Sequence, residues 1–179
     1  MKIIFLGTPE FAVPSLKILL DNGYDVVGVV TATDKWGGRG NKTLLESAVK
    51  KFAVEKGLRI LQPEKLREES FLEELRSLGA DLQVVVTFKM LPKKVWQMPT
   101  LGTMNLHGSL LPKYRGAAPI NWAIINGEQE TGVTTFLLKQ KVDTGDLLFK
   151  AKTPIEENET VGEVYERLMH IGAELLLKS

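Results

Sequence analysis

The sequence predicts a doubly wound α/β domain with a mainly parallel sheet, and three observations carry that reading. Short apolar, β-branched runs alternate with helical patterns along the chain, the order that builds strand–helix–strand units. The first run, residues 2–7 (KIIFLG), is continuously apolar from Ile3 to Leu6 rather than alternating, as suits a strand covered on both faces. The 179 residues, 44% hydrophobic and 25% charged, are ordinary for a globular chain and sufficient for one well-buried core.

Each element follows from local signals. After the first strand, residues 11–20 carry a helical pattern with Pro14 in the first turn and Asn22-Gly23 as the stop. Residues 25–31 (DVVGVVT) form the second strand. A polar loop follows, then a helix over 44–56 that ends at Gly57. Residues 58–62 and 82–87 are further strands, separated by a charged helix near 67–78. Residues 102–107 (GTMNLH) are another. Pro119 and Gly127 then frame a short helix by the Pro-start, Gly-stop asymmetry. Residues 132–138 and 146–153 form a strand pair joined through Lys139–Gly145. Thr160 and Glu163 match a capping box, and Val161, Val164, Leu168, Ile171 and Leu175 give the last helix one apolar stripe. That helix runs to Ser179 with no Gly, Asn or Pro stop, which fits either a frayed natural terminus or a chain cut inside or just after a helix leading elsewhere.

Composition excludes several functions. Lys+Arg (23) and Asp+Glu (22) nearly cancel, so the chain is no general nucleic-acid wrapper, although a local basic patch fits. With no cysteine there is no disulfide, no thiolate nucleophile and no thiolate metal site. No apolar run approaches the roughly 20 residues of a membrane span. The expectation is a cytoplasmic enzyme. The loop LGTPEF lacks the GxGxxG fingerprint, no GxxxxGK[ST] occurs, and no His cluster has metal spacing.

Chemistry concentrates at three places. Residues two apart on a strand share a face, so Asn105 and His107 point together while Met104 and Leu106 point the other way. Two polar side chains on an apolar sheet cost about 1–3 kcal/mol each if unpaired, which favours the carboxyl strand end where open α/β sheets bind ligands. His107 is one of only two histidines; His170 reads as a helix-surface residue. The Gly- and Pro-rich run from Gly108 to Pro119, with Lys113 and Arg115, has the length of a binding loop. The turn Lys141–Asp146 offers Asp143 and Asp146 as orienting partners for the histidine, and spacing does not choose between them. Residues 34–51 hold five basic and two acidic side chains around Gly37, Gly38, Gly40 and Trp36, a pattern suited to a phosphate backbone and a stacked base.

The segments FLGTPEFAVPSL, NLHGSLLPKYRGAAPINWAI, NGEQETGVTT and DTGD resemble the folate-dependent formyltransferases, and within them the methionyl-tRNA formyltransferase family, from residue 1 to the end. The resemblance implies a Rossmann-like formyltransferase fold across residues 1–179, with the family's C-terminal tRNA-binding domain absent. It implies 10-formyltetrahydrofolate as co-substrate, no metal, initiator methionyl-tRNA as acceptor, no membrane, and a monomer. Position by position it makes Asn105, His107 and Asp143 catalytic, so it selects Asp143 over Asp146. It aligns Ser109, Leu110, Leu111 and Pro112 with the folate-contacting run, and it puts Met90 and Leu91 beside the pterin. Arg39 and Lys42 fall in the tRNA-contacting insertion, where Trp36 departs from the family pattern. On this reading the transfer needs no covalent enzyme intermediate. Two rival readings are a formyltransferase acting on glycinamide ribonucleotide or an amino sugar nucleotide, and a non-catalytic folate- or RNA-binding module.

Overall fold

In the computed structural model, which describes residues 1–40, 42–139 and 143–179, a seven-stranded sheet carries helices on both faces. The strands are β1 (Lys2–Gly7), β2 (Asp25–Val30), β5 (Ile60–Leu61), β6 (Leu82–Val86), β7 (Thr103–His107), β8 (Glu130–Leu137) and β9 (Asp146–Pro154). Their order is β5-β2-β1-β6-β7-β8-β9; the first five run parallel, β8 is antiparallel to β7, and β9 is antiparallel to β8. Two further strands, β3 (Lys35–Gly37) and β4 (Thr43–Leu45), pair with each other in a separate hairpin. The helices are α1 (Val13–Asp21), α2 (Ala48–Glu55), α3 (Glu69–Ser77), α4 (Lys93–Trp96), α5 (Pro119–Ile125) and α6 (Val161–Lys178).

The alternation of side chains along the central strands builds two cores. Ile3, Phe5, Val84, Val86, Met104 and Leu106 face the layer that holds α1 and α6, whereas Ile4, Leu6 and Val85 face the layer of α3 and α4. Each fully buried aliphatic or aromatic side chain contributes about 1.5–3 kcal/mol. Ala48–Glu55 gains an N-cap from Ser47, whose hydroxyl accepts from the Lys50 N–H at 3.0 Å. The α6 capping box closes reciprocally: the Glu163 N–H donates to Thr160 Oγ1, and the Thr160 N–H donates to Glu163 Oε2. Asn22-Gly23 ends α1 as expected, with the Asn22 amide donating to the Ile18 carbonyl and Gly23 at φ +76°.

Two stretches differ from the sequence reading. The polar loop after β2 contains the β3–β4 hairpin, so the following helix begins at Ala48 rather than 44. Trp96 closes a short helix, α4, that the sequence signals do not announce. The predicted turn over 139–145 falls partly outside the described residues, at Gln140, Lys141 and Val142.

What matters for function is where the chain reverses its direction of travel across the sheet. From β1 it proceeds to β2 and β5 on one side, then returns to β6 and β7 on the other. The crevice outside the carboxyl ends of β1 and β6 is the position at which such sheets bind ligands. Behind β7, α6 approaches closely at Gly172. A Cβ there would lie 2.8 Å from Leu106 Cδ2, so the glycine lets the helix settle against the strand that carries Asn105 and His107.

Candidate active site

Asn105 and His107 do share a face of β7, opposite Met104 and Leu106, and both line a cleft of about 620 Å³ at the switch point. Its walls include Phe11 after β1, the segment from Thr87 to Leu91 after β6, Trp96, the start of α5, and Tyr165 of α6. The size suits one organic ligand of moderate size. Of the residues named from sequence, Asn105, His107, Asp143, Met90 and Leu91 meet in this cleft. Ser109, Leu110, Leu111 and Pro112 are not among its lining residues; Ser109 and Leu111 are buried. That run is pinned from behind, with the Thr134 hydroxyl donating to the Ser109 carbonyl at 2.6 Å and accepting from the Leu111 N–H at 3.1 Å.

His107 is held at one nitrogen and open at the other. Nε2 lies 2.8 Å from the Tyr114 carbonyl oxygen, which only accepts, so Nε2 carries the hydrogen and Nδ1 is the basic atom. Nδ1 stands 3.8 Å from Asp143 Oδ2, too far for a hydrogen bond but close enough for the carboxylate to offset positive charge on the ring. The sequence reading offers Asp143 as an orienting partner of the histidine; in the structure the ring makes its hydrogen bond to the Tyr114 carbonyl instead. Asp143 is itself tied down, with Oδ2 accepting from the Gly116 N–H at 2.8 Å and its carbonyl accepting from Arg115 Nε at 3.1 Å. Asp146 is exposed at the start of β9 and pairs with Lys139 at 2.6 Å, so geometry separates the two turn aspartates.

Backbone strain gathers here. Thr87, Ala118 and Asp143, all lining the cleft, and Tyr114, which holds His107, adopt positive φ values of 49°, 52°, 48° and 54°. A non-glycine residue in that region costs on the order of 1–3 kcal/mol, so the surroundings enforce it. Sequence reasoning missed Phe11, Phe88, Trp96 and Tyr165 as cleft residues. The one available signal was that the first two follow strands at their carboxyl ends. Tyr165 hid in a helix, where its hydroxyl accepts the Phe11 N–H at 3.1 Å and its ring meets Phe11 edge-on.

Arg39 and Lys42 are exposed around the turn of the β3–β4 hairpin and do not line the cleft. Trp36 is 65% exposed and lies directly across from Leu44. The hairpin is fastened at its base: Lys50 pairs with Asp34 and with Glu46, and the Gln62 amide donates to Asp34 Oδ1 at 2.8 Å and to the Ala32 carbonyl at 2.9 Å. Among the described residues no group of His, Asp or Glu could hold a metal ion, and no helix is long and apolar enough to cross a membrane.

Residues 1–179 match the family model described as Formyl transferase. The chain belongs to that formyltransferase family. It is 56% identical over 179 residues to a methionyl-tRNA formyltransferase of Parabacteroides distasonis, covering 100% of this chain and 55% of that protein. A second methionyl-tRNA formyltransferase, from Flavobacterium johnsoniae, is 58% identical over 173 residues, covering 97% of this chain and 55% of its own. The chain thus spans about half the length of the curated relatives it matches. Among solved structures, phosphoribosylglycinamide formyltransferase from Anaplasma phagocytophilum superposes with a TM-score of 0.83 at 18% identity, covering 99% of this chain and 84% of that one. The sugar 3N-formyl transferase WlaRD, solved with dTDP and 5-N-formyl-THF, superposes at 0.72 with 24% identity, covering 99% and 61%. At those identities the likeness is one of fold.

Proposed function

We propose that this domain transfers a formyl group from 10-formyltetrahydrofolate to the amino group of initiator methionyl-tRNA, as a monomeric cytoplasmic enzyme of translation initiation. The observation that carries the reading is the cleft at the switch point, where an Asn amide, a His with a defined basic nitrogen and a buried carboxylate converge. The choice of acceptor follows the relatives, which are named methionyl-tRNA formyltransferases and match the whole chain at over half identity. The fold-level likeness to phosphoribosylglycinamide formyltransferases favours no small acceptor.

The cleft fits such a co-substrate: its volume suits one bound molecule, and Val85, Phe88, Met90, Leu91 and Trp96 offer an apolar wall for a flat ring system. The bound folate would supply the formyl group. Met90 and Leu91 would flank its ring, and Ser109–Pro112 would set the rear boundary through the run that Thr134 pins at Ser109 and Leu111. As the amine attacks the formyl carbon, negative charge grows on the formyl oxygen. The Asn105 amide, which among the described residues makes no side-chain hydrogen bond, is free to donate there. Such a donor is worth roughly 2.7–4 kcal/mol. His107 Nδ1 accepts the proton the amine sheds and returns it toward the leaving nitrogen, help worth about 10²–10⁴-fold. Protonation makes Nδ1–H a donor facing Asp143 Oδ2, so the carboxylate stabilises the imidazolium. Arg39 and Lys42, with Trp36, would meet the acceptor end of the tRNA.

The test is single-turnover formylation of charged tRNA with 10-formyltetrahydrofolate in excess, at low and high salt. Transfer that weakens with salt and that His107→Ala reduces by about 10²-fold or more, with folate affinity retained, is expected. Arg39→Ala and Lys42→Ala should each weaken tRNA engagement while leaving folate binding unchanged. Wild-type turnover in His107→Ala would sink the catalytic assignment. Transfer only to glycinamide ribonucleotide or an amino sugar nucleotide would overturn the acceptor, and folate binding with no transfer to any amine would point to a binding module.

A further inference from the structure

His107 and Asp143 do not touch; both are fastened to one short segment between them. The Tyr114 carbonyl takes the Nε2 hydrogen, and the Gly116 N–H and Arg115 Nε hold Asp143. The 3.8 Å gap between the basic nitrogen and the carboxylate is therefore set by where residues 114–116 sit. Tyr114 occupies this place at φ +54°, a conformation that the local chain does not favour. Something outside the segment must hold it.

That restraint is visible on the side away from the cleft. The Tyr114 hydroxyl donates to Glu128 Oε1 at 2.7 Å and accepts from the Asn126 side-chain amide at 3.0 Å. Lys113 Nζ closes the arrangement on Glu128 at 3.0 and 3.1 Å. Glu128 is a firm anchor, because its backbone N–H bonds the Ala123 carbonyl of α5 at 3.0 Å and β8 begins two residues later. Neither Glu128 nor Asn126 lines the cleft. Held by Tyr114 and Lys113, the Glu128 carboxyl titrates below the usual Glu range, as a carboxylate fixed by donors should.

We infer that Glu128 is a positioning residue, which acts through the Tyr114 hydroxyl to hold the carbonyl that fixes the tautomer of His107. The effect on turnover rests on the proposed formyl transfer; the effect on the imidazole does not. The chain has two histidines, and His170 is exposed on α6, so a nitrogen-15 spectrum of the side chains carries one reporter and one control.

The experiment compares the wild type with Tyr114→Phe, Glu128→Leu and Glu128→Gln at about pH 9, where an ordinary imidazole is neutral. The wild-type His107 ring should show the hydrogen on Nε2. In Tyr114→Phe and Glu128→Leu it should become a mixture of tautomers while His170 stays unchanged. Turnover should fall on the order of tenfold in both, with KM for the folate donor within about twofold. Glu128→Gln keeps an acceptor for the Tyr114 hydroxyl and should restore the single tautomer. Tyr114→Phe retains the ring packing, so it decides the matter should Glu128→Leu fold poorly. An unchanged His107 tautomer in Tyr114→Phe overturns the inference whether or not the protein formylates anything. Lost formyl transfer in the wild type with a tautomer that responds as expected would fault the proposed reaction alone.

Discussion

The carboxyl end of β7 and the β3–β4 hairpin are held by opposite means. β7 lies between β6 and β8, with α6 pressed against it at Gly172, and Met104 and Leu106 are buried beneath Asn105 and His107. Among the described residues the hairpin strands pair with nothing but each other, the two strands are three residues each, and Trp36, Leu44 and Leu45 are exposed. A lone two-stranded ribbon is marginally stable in water, so its order comes from the ionic and hydrogen-bonded base at Asp34, Lys50 and Gln62. The difference matches the tasks proposed for the two regions. Proton transfer demands atoms fixed to fractions of an ångström, which a packed central strand supplies. Contact with a large charged partner demands reach and some freedom, which a tethered ribbon supplies.

The contrast is broken most forcefully by truncating one apolar side chain in each region. Leu106 is 2% exposed and rests on Gly172, so Leu106→Ala should cost about 2–5 kcal/mol of stability. Leu44→Ala should stay within about 0.5 kcal/mol of wild type. Urea unfolding checks both. A large loss at Leu44 would mean that the hairpin belongs to the cooperative core.

The same contrast explains what could be read from sequence. Asn105 and His107 were legible because a strand's two-residue period fixes their common face, whatever the rest of the chain does. The α6 capping box was legible for a similar reason, since its partners are three residues apart. The hairpin was not. Three-residue strands around Gly37, Gly38 and Gly40 show no apolar period, and Leu44 and Leu45 fit the start of the helical pattern over 44–56. Asp143 and Asp146 are alike by spacing; in the structure Asp143 is buried in the cleft near His107 and held by Gly116 and Arg115, while Asp146 is exposed and paired with Lys139. The group that fixes the histidine is a backbone carbonyl, which leaves no residue-type signal at all.

A gentler prediction sharpens the comparison at the hairpin base. Lys50→Met removes the cation paired with both Asp34 and Glu46, leaving the Gln62 bond to Asp34, while keeping the length of the α2 side chain. Amide exchange across Lys35–Gly37 and Thr43–Leu45 should accelerate, and proteolysis near Gly38–Gly40 should quicken, with exchange in β7 unchanged. Faster exchange at β7 would show that the two regions open together.

The smallest effect concerns acid. Glu159 lies just before α6, bonded by Arg167, which also reaches the Pro154 carbonyl and Thr153 Oγ1 at the end of β9. The Arg167 hydrogen bond first, and the Glu156 N–H second, hold its carboxyl at about 2, below the ordinary 4.5. A lowered folded-state value means the stabilisation is complete above 4.5 and fades as the pH falls from there through about 2. The Asp34 carboxyl is also lowered, by Lys50 first and then Gln62, so its contribution fades below 3.8. The two ion pairs differ in what they fasten. Glu159 ties the sheet to the helix behind β7, so the urea midpoint of wild type should exceed that of Glu159→Gln near neutrality, and the difference should close on acidification. Asp34 ties only the hairpin, so Asp34→Asn should leave the midpoint in place and alter hairpin exchange alone. Equal midpoint shifts in the two variants would place the hairpin inside the cooperative unit, and its proposed freedom to follow a partner would then have to come from the turn at Gly38–Gly40.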